Sequence, residues 1–248
     1  MKILVCISSV PDTTSKINFT ADKSAFDKTG IQWVINPWDE FALTKAVKLQ
    51  ETQGATVTVI NVGDATTEPV IRKSLAIGAN DAIRVNVEPK DSYSVAIEIA
   101  NVAQNGGYDL ILCGRESIDY NGGSVPGMVA QLLNQPFVNA CVGLEVNGAE
   151  ANAVREIEGG KETISVKLPA VIAGQKGMVD EKDLIIPNMR GIMSARSKPL
   201  QVVEPTSSEV KVEGVSYDSV PQRAAVKMVS AENIDELVRL LHEEAKVI

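Results

Sequence analysis

The stretch Cys113-Gly114-Arg115-Glu116-Ser117-Ile118-Asp119-Tyr120-Asn121-Gly122-Gly123-Ser124-Val125-Pro126-Gly127-Met128 holds the residues best suited to chemistry. An apolar, strand-like run enters it, a polar glycine-bearing loop follows, and a helical pattern leaves it toward Leu133. Glycines let backbone N–H groups approach an anion, and a helix N-terminus adds partial positive charge, which together suit a nucleotide phosphate. Backbone amides around Asn121 to Ser124 are the candidate phosphate contacts, and Arg115 can add a charge-assisted one. The loop is neither GxGxxG nor GxxxxGK[ST], and a glycine-rich surface turn accounts for the same residues. The turn Ser8-Ser9-Val10-Pro11-Asp12 lacks a serine-glycine-glycine pattern, so binding without hydrolysis is the expectation.

Other reactive groups are sparse. The one histidine, His242, argues against imidazole-rich zinc sites and a Ser-His-Asp hydrolase, and no catalytic or metal residue is assigned. Cys6, Cys113 and Cys141 are far apart in apolar runs with no CxxC pair, and read as buried free thiols. With 32 acidic and 24 basic residues among 248, the formal charge is −8, and no Lys/Arg run forms a stripe for nucleic acid. Apolar runs such as Leu110–Cys113 are far below the roughly 18–20 residues of a membrane span. Met1–Ile7 reads as a first strand rather than a secretory leader, which makes a cytoplasmic protein the expectation.

The elements that must position the loop alternate between strand-like and helical patterns, as in a doubly wound α/β domain. Strands are expected at Lys2–Ser8, Ile31–Ile35, Thr56–Val62, Ala82–Val87 and Tyr108–Cys113. Helices are expected from Asn36-Pro37 to about Gly54, with Asn36 as cap, at Glu68–Ile77 and at Ser92–Gln104. Ligands in such sheets lie beyond the carboxyl ends of the strands, near the switch in strand order. Val154–Glu158 and Thr163–Leu168, joined at Gly159-Gly160, predict an antiparallel edge hairpin. The expected domain spans 1–196. Residues 197–248 are expected to be an extended arm ending in a helix, Ala231–Lys246, capped by Ser230, whose apolar face needs a cover.

Three segments then carry a family resemblance: Arg155-Glu156-Ile157-Glu158-Gly159-Gly160-Lys161-Glu162-Thr163, Leu168-Pro169-Ala170-Val171, and Ile192-Met193-Ser194-Ala195-Arg196-Ser197-Lys198. They resemble the signature region of the β (small) subunit of electron transfer flavoproteins. Asn36-Pro37, Leu75-Ala76-Ile77-Gly78-Ala79, the Gly114 to Asp119 loop and Pro221-Gln222-Arg223 match it in order. The resemblance implies an adenine-nucleotide-binding, Rossmann-like fold and a heterodimer with an α subunit that holds most of the FAD. It also implies a structural AMP in this chain, acyl-CoA-type or other dehydrogenases as electron donors, as in fatty acid β-oxidation, and a quinone oxidoreductase or similar acceptor. The arm would wrap on the α subunit.

By position the resemblance places AMP contacts on Cys6, on Asn36, Pro37, Trp38 and Asp39, on Val62, and on Gly114, Arg115, Glu116, Ser117, Ile118, Asp119, Tyr120, Asn121, Gly122, Gly123, Ser124 and Val125. Trp38 fits either the flavin's dimethylbenzene edge or the buried face of its own helix. Met178, flanked by Gly177, falls at the family's apolar anchor for partner dehydrogenases. The run Tyr120 to Val125 departs from the family's Asp/Asn/Gln/Thr-rich sequence, and Thr13 replaces a tyrosine often near the flavin. Two other readings fit many of the same residues. One is an electron-bifurcating β subunit with a second FAD in the AMP site; the other is a stand-alone adenine-nucleotide sensor of the universal-stress type.

Overall fold

The computed structural model describes residues 1–221, 223 and 225–248; Gln222 of the Pro221-Gln222-Arg223 motif lies outside them. β1 (Lys2–Cys6) is apolar and buried at every position after Lys2, which suits a central strand covered on both faces. β2 (Ser9–Pro11) and β3 (Trp33–Ile35) precede α1 (Pro37–Gln53), which stops at Gly54 in the left-handed region, φ +68°. There follow β4 (Thr56–Val62), α2 (Glu68–Ile77), β5 (Asp81–Val85), α3 (Ser92–Gly106), β6 (Leu110–Gly114) and α4 (Val125–Leu133). Next come β7 (Phe137–Asn147), β8 (Glu150–Ile157), β9 (Gly160–Lys167), β10 (Ala170–Gly174), α5 (Met189–Ala195), β11 (Leu200–Val203) and α6 (Ile234–Arg239).

Among the described residues nine strands form one mixed, mostly parallel sheet in the order β11-β5-β4-β1-β6-β10-β7-β8-β9. β1 pairs with β4 on one side and β6 on the other, so the strand order reverses between β1 and β6. α1 and α2 close one face, where their Leu43 and Leu75 join Ile3 and Val5 in one core cluster, and α3 and α4 close the other, where their Ile99 and Val129 join Leu4 and Ile60. The anticipated α/β architecture and edge hairpin are present, with β7, β8 and β9 as the antiparallel end.

Four expectations are corrected. The run Ile31–Ile35 is not a strand of the main sheet: Trp33–Ile35 pairs with Ser9–Pro11 in a separate two-stranded ribbon. β1 itself ends at Cys6, because the Ser8 N–H goes to the Asp39 carboxylate (2.7 Å) and Ser8 O accepts the Asn36 N–H (3.0 Å). Leu200–Val203, expected in the arm, is an edge strand parallel to β5. The terminal helix is α6, capped by the Asn233 side chain on the Glu236 N–H (3.2 Å) rather than by Ser230, and it continues as a π-helical turn, Leu240–Glu244.

The described residues divide into two compact units, 1–16 with 28–215, and 17–27 with 216–248. The first holds the sheet. Its α3 is closed at the N-terminus by a reciprocal box in which Asp91 accepts the Ser94 N–H and Ser94 Oγ accepts the Asp91 N–H. In the second, Phe19 bridges Phe26 and stacks on Tyr217 with centroids 5.4 Å apart. On its α6, Ile234, Leu237 and Val238 are exposed.

Candidate functional site

At the carboxyl ends of β1 and β6, where the strand order switches, the first turn of α1 is driven between the two strand ends. Asp39 is buried, and its two oxygens accept the N–H groups of Ser8 (2.7 Å) and Gly114 (2.9 Å), tying the ends together. Burial pushes this carboxyl up to about 7, against the opposing pull of the Ser8 N–H, the Asn36 amide and the Gly114 N–H. Gly114 is obligatory for the contact, since a Cβ there would stand 2.3 Å from Asp39 Oδ1 and 2.7 Å from Trp38 Cβ.

Asn36 is almost fully buried, and its side chain does not cap α1 as expected. It reaches across to the loop after β6, where Nδ2 donates to Glu116 O (2.8 Å) and Oδ1 accepts the Ile118 N–H (3.3 Å). The long-range bonds win because the loop's backbone groups are removed from water there and have to be paired. Beyond Ile118 the loop closes on itself: Ser117 and Gly122 exchange backbone bonds (2.9 and 3.1 Å), and the Asp119 carboxylate accepts Ser117 Oγ (2.6 Å) and the Tyr120 N–H (2.9 Å). Asn121 takes a left-handed conformation, φ +50°, which Asn tolerates.

This turn delivers the chain to α4. The N–H groups of Gly123, Ser124 and Val125 carry no hydrogen bond among the described residues. That is a donor set of the kind a phosphate takes. The Gly122 N–H is spent on Ser117 O, which removes one of the amides expected to contact phosphate. The turn is tight, for a Cβ on Gly123 would lie 3.3 Å from Arg115 O.

The other expected residues converge on the same strand ends or line the loop. Cys6 and Cys113 are the buried last and penultimate residues of β1 and β6, and Val62 is the buried last residue of β4. The neighbouring Cys6 thiol, burial and the nearby Asp39 charge push the Cys113 thiol well above its usual range. All three cysteines are free and buried, as expected. Trp38 is half-buried, with the Arg115 guanidinium 5.3 Å from its ring centroid. Arg115 Nη1 donates to Gln175 Oε1 (2.8 Å), and Nη2 to Glu116 Oε2 (3.1 Å).

The exposed anchor expected at Met178 is corrected. Met178 is 4% exposed, packed in the core with its sulfur and methyl over Gly174, because the turn after β10 folds it inward. On the same segment Ile186, Met189, Ile192 and Met193 are exposed, Ile192 the least of them. Sequence reasoning also passed over Gln175 and the clamping role of Asp39. The available signal was a polar residue set directly against an apolar, fully buried strand end.

The model of the electron transfer flavoprotein domain family matches residues 24–208. The chain belongs to the electron transfer flavoprotein family. It is 34% identical to electron transfer flavoprotein subunit beta of Bacillus subtilis, with the whole of both chains covered. It is 33% identical to the protein of that name from Syntrophomonas wolfei, over 91% of this chain and 88% of the relative. To the human one it is 30% identical, over 100% and 99%. Of the motif-bearing segments, Arg155–Thr163 lies in the β8–β9 hairpin, Ala170-Val171 opens β10, and Ile192–Ala195 ends α5. Among the described residues no helix is long and apolar enough to cross a membrane.

Proposed function

We propose that this chain is the β half of a heterodimeric electron carrier, which binds AMP at the switch-point loop and helps enclose an FAD held mainly by an α subunit. The observation that carries the reading is the loop from Gly114 to Val125, pinned by Asp39 and Asn36 and ending in free N–H groups at the start of α4. Those amides would take the phosphate, with Arg115 adding charge, and Cys6, Val62 and the first turn of α1 would line the nucleoside side. The family relation supplies the flavin, whose chemistry when bound is to take up and release electrons one or two at a time. This chain's own residues bind, orient and exclude water; no acid, base or nucleophile is assigned to it.

The C-terminal segment 216–248, beyond the edge strand β11, is assigned to the partner subunit, and the exposed face of α6 at Ile234, Leu237 and Val238 supports that. Docking of donor dehydrogenases and of a quinone oxidoreductase is assigned to exposed Ile186, Met189 and Met193 instead of Met178. The test is co-expression with the flavin-bearing partner and chromatographic identification of the nucleotides released per heterodimer. One FAD and one AMP is the expected outcome. Two FAD and no AMP would replace this reading with electron bifurcation, and failure to form a complex would overturn it.

A further inference from the structure

The hairpin β8–β9 carries the strongest sequence signature, yet the nucleotide site described above makes no use of it. A single buried amide connects the two. Gln175 follows β10 directly and is 5% exposed, with its backbone held by Cys141 O (3.0 Å), while the Arg115 N–H is held by Gly174 O (2.8 Å). Both residues thus stand on adjacent strand ends of the sheet. Gln175 Oε1 accepts from Arg115 Nη1 (2.8 Å), and Gln175 Nε2 donates to Glu156 Oε2 on β8.

The direction of this chain is fixed by chemistry. A guanidinium has only donors, so it must meet the carbonyl end of the amide. The NH₂ end is then turned to the hairpin and needs an acceptor, and an ionised carboxylate is acceptor-only. Reversing the amide would set donor against donor and acceptor against acceptor, in a place where solvent cannot repair the mismatch. Arg115 is otherwise steadied by Glu116 and by the Trp38 face, both more exposed than Gln175. Of its supports, Gln175 is the rigid one.

We infer that Gln175 is a positioning residue for Arg115, and that Glu156 of the signature hairpin holds Gln175 in the orientation this requires. The inference rests on the reading of Arg115 as a phosphate contact. It gives the hairpin a task at the nucleotide site, exerted through one amide.

The test uses the full chain in a Trp33→Phe background, so that Trp38 is the sole tryptophan, with AMP as the probe. Gln175→Met is expected to weaken AMP binding about tenfold, the scale of one hydrogen bond to a charged group. It should shift Trp38 emission in the same sense as Arg115→Met. In the Arg115→Met background it should change neither quantity further. Glu156→Met, at an exposed position, should weaken AMP binding about threefold, whereas Glu156→Gln, which keeps an acceptor, should restore it to within about twofold of the parent. A purely structural role would lower the melting temperature without this rescue pattern. AMP affinity within about twofold of the parent for Gln175→Met, beside a loss for Arg115→Met, would overturn the inference, as would additive effects. If Gln175→Met fails to fold, the Glu156 pair decides. If the full chain binds no AMP, the functional reading fails, and Trp38 emission unmoved by Gln175→Met still overturns the positioning role.

Discussion

Two aspartates hold backbone N–H groups in the same unit, Asp39 at the ends of β1 and β6 and Asp91 at the start of α3. Asp39 accepts the N–H groups of Ser8 and Gly114; Asp91 accepts those of Ser94, Lys211 (2.7 Å) and Val212 (3.0 Å). Burial dominates at Asp39 and pushes its carboxyl up to about 7. At Asp91 desolvation also pushes up, but the bonds from Ser94, Lys211 and Val212 together outweigh it and hold the carboxyl at about 2. Similar donors therefore give opposite shifts, because the desolvation of a charge grows with burial faster than two or three N–H bonds can offset it. The buried clamp sits where a ligand would bind; the half-buried one ties down the chain after β11.

The comparison is broken most severely by Gly114→Val. A branched Cβ would occupy the place of Asp39 Oδ1, so the strand ends cannot close. A loss of about 3 kcal/mol or more is expected in urea unfolding, at the upper end for overpacking. Asp39→Ala comes next, at about 1–3 kcal/mol, because it leaves the N–H groups of Ser8 and Gly114 without their acceptor.

The pH dependence sharpens the contrast. Asp39 keeps its proton in the fold up to about 7, while the unfolded chain releases it near 3.8. The unfolded state therefore binds fewer protons between these values, and this residue makes stability fall as pH rises from about 4 to about 7, by up to about 1.4 kcal/mol per pH unit. Asp39→Asn should flatten that slope in melts between pH 4 and 8. A slope unchanged in Asp39→Asn would assign it to other groups. Asp91 runs the other way: its carboxyl is held below 3.8, so its contribution is present above that pH and is lost as pH falls toward about 2. Asp91→Ala should cost about 1 kcal/mol at pH 7, the scale of a helix cap, and should speed exchange of the Lys211 and Val212 amides. A loss at Asp91 larger than at Asp39 would refute the view that burial sets the weight of each clamp.

Much of the fold was legible because each central strand repeats one message. The runs in β1, β6 and β10 are apolar without alternation, which a sheet covered on both faces explains; β4 begins Thr-Val-Thr-Val yet is buried at every position after Thr56. Gly54, Gly78 and Gly107 marked the ends of α1, α2 and α3. β7 was less legible, since Asn139, Ala140 and the register shift near Cys141 interrupt its pattern. β3 and β11 are three and four residues long, too short for periodicity to tell a ribbon or an edge strand from an extended link. In the site, the loop from Gly114 to Val125 could be read by type and spacing. Asn36 was placed correctly and given the wrong partner, because a cap is a local choice and its real bonds lie 80 and 82 residues away.

The order of residues alone carried the α/β alternation, the glycine-bearing loop between β6 and α4, the hairpin motif and with them the family. Those are local properties: burial pattern, turn chemistry and motif are set by neighbours a few positions apart. Which way Met178 faces, which N–H groups stay free at Gly123 to Val125, and how Arg115, Gln175 and Glu156 line up depended on contacts between distant segments. Pairing and burial at those positions are decided by what the folded chain brings alongside, and the same side chain is clamp, cap or core according to the dielectric and partners it meets there.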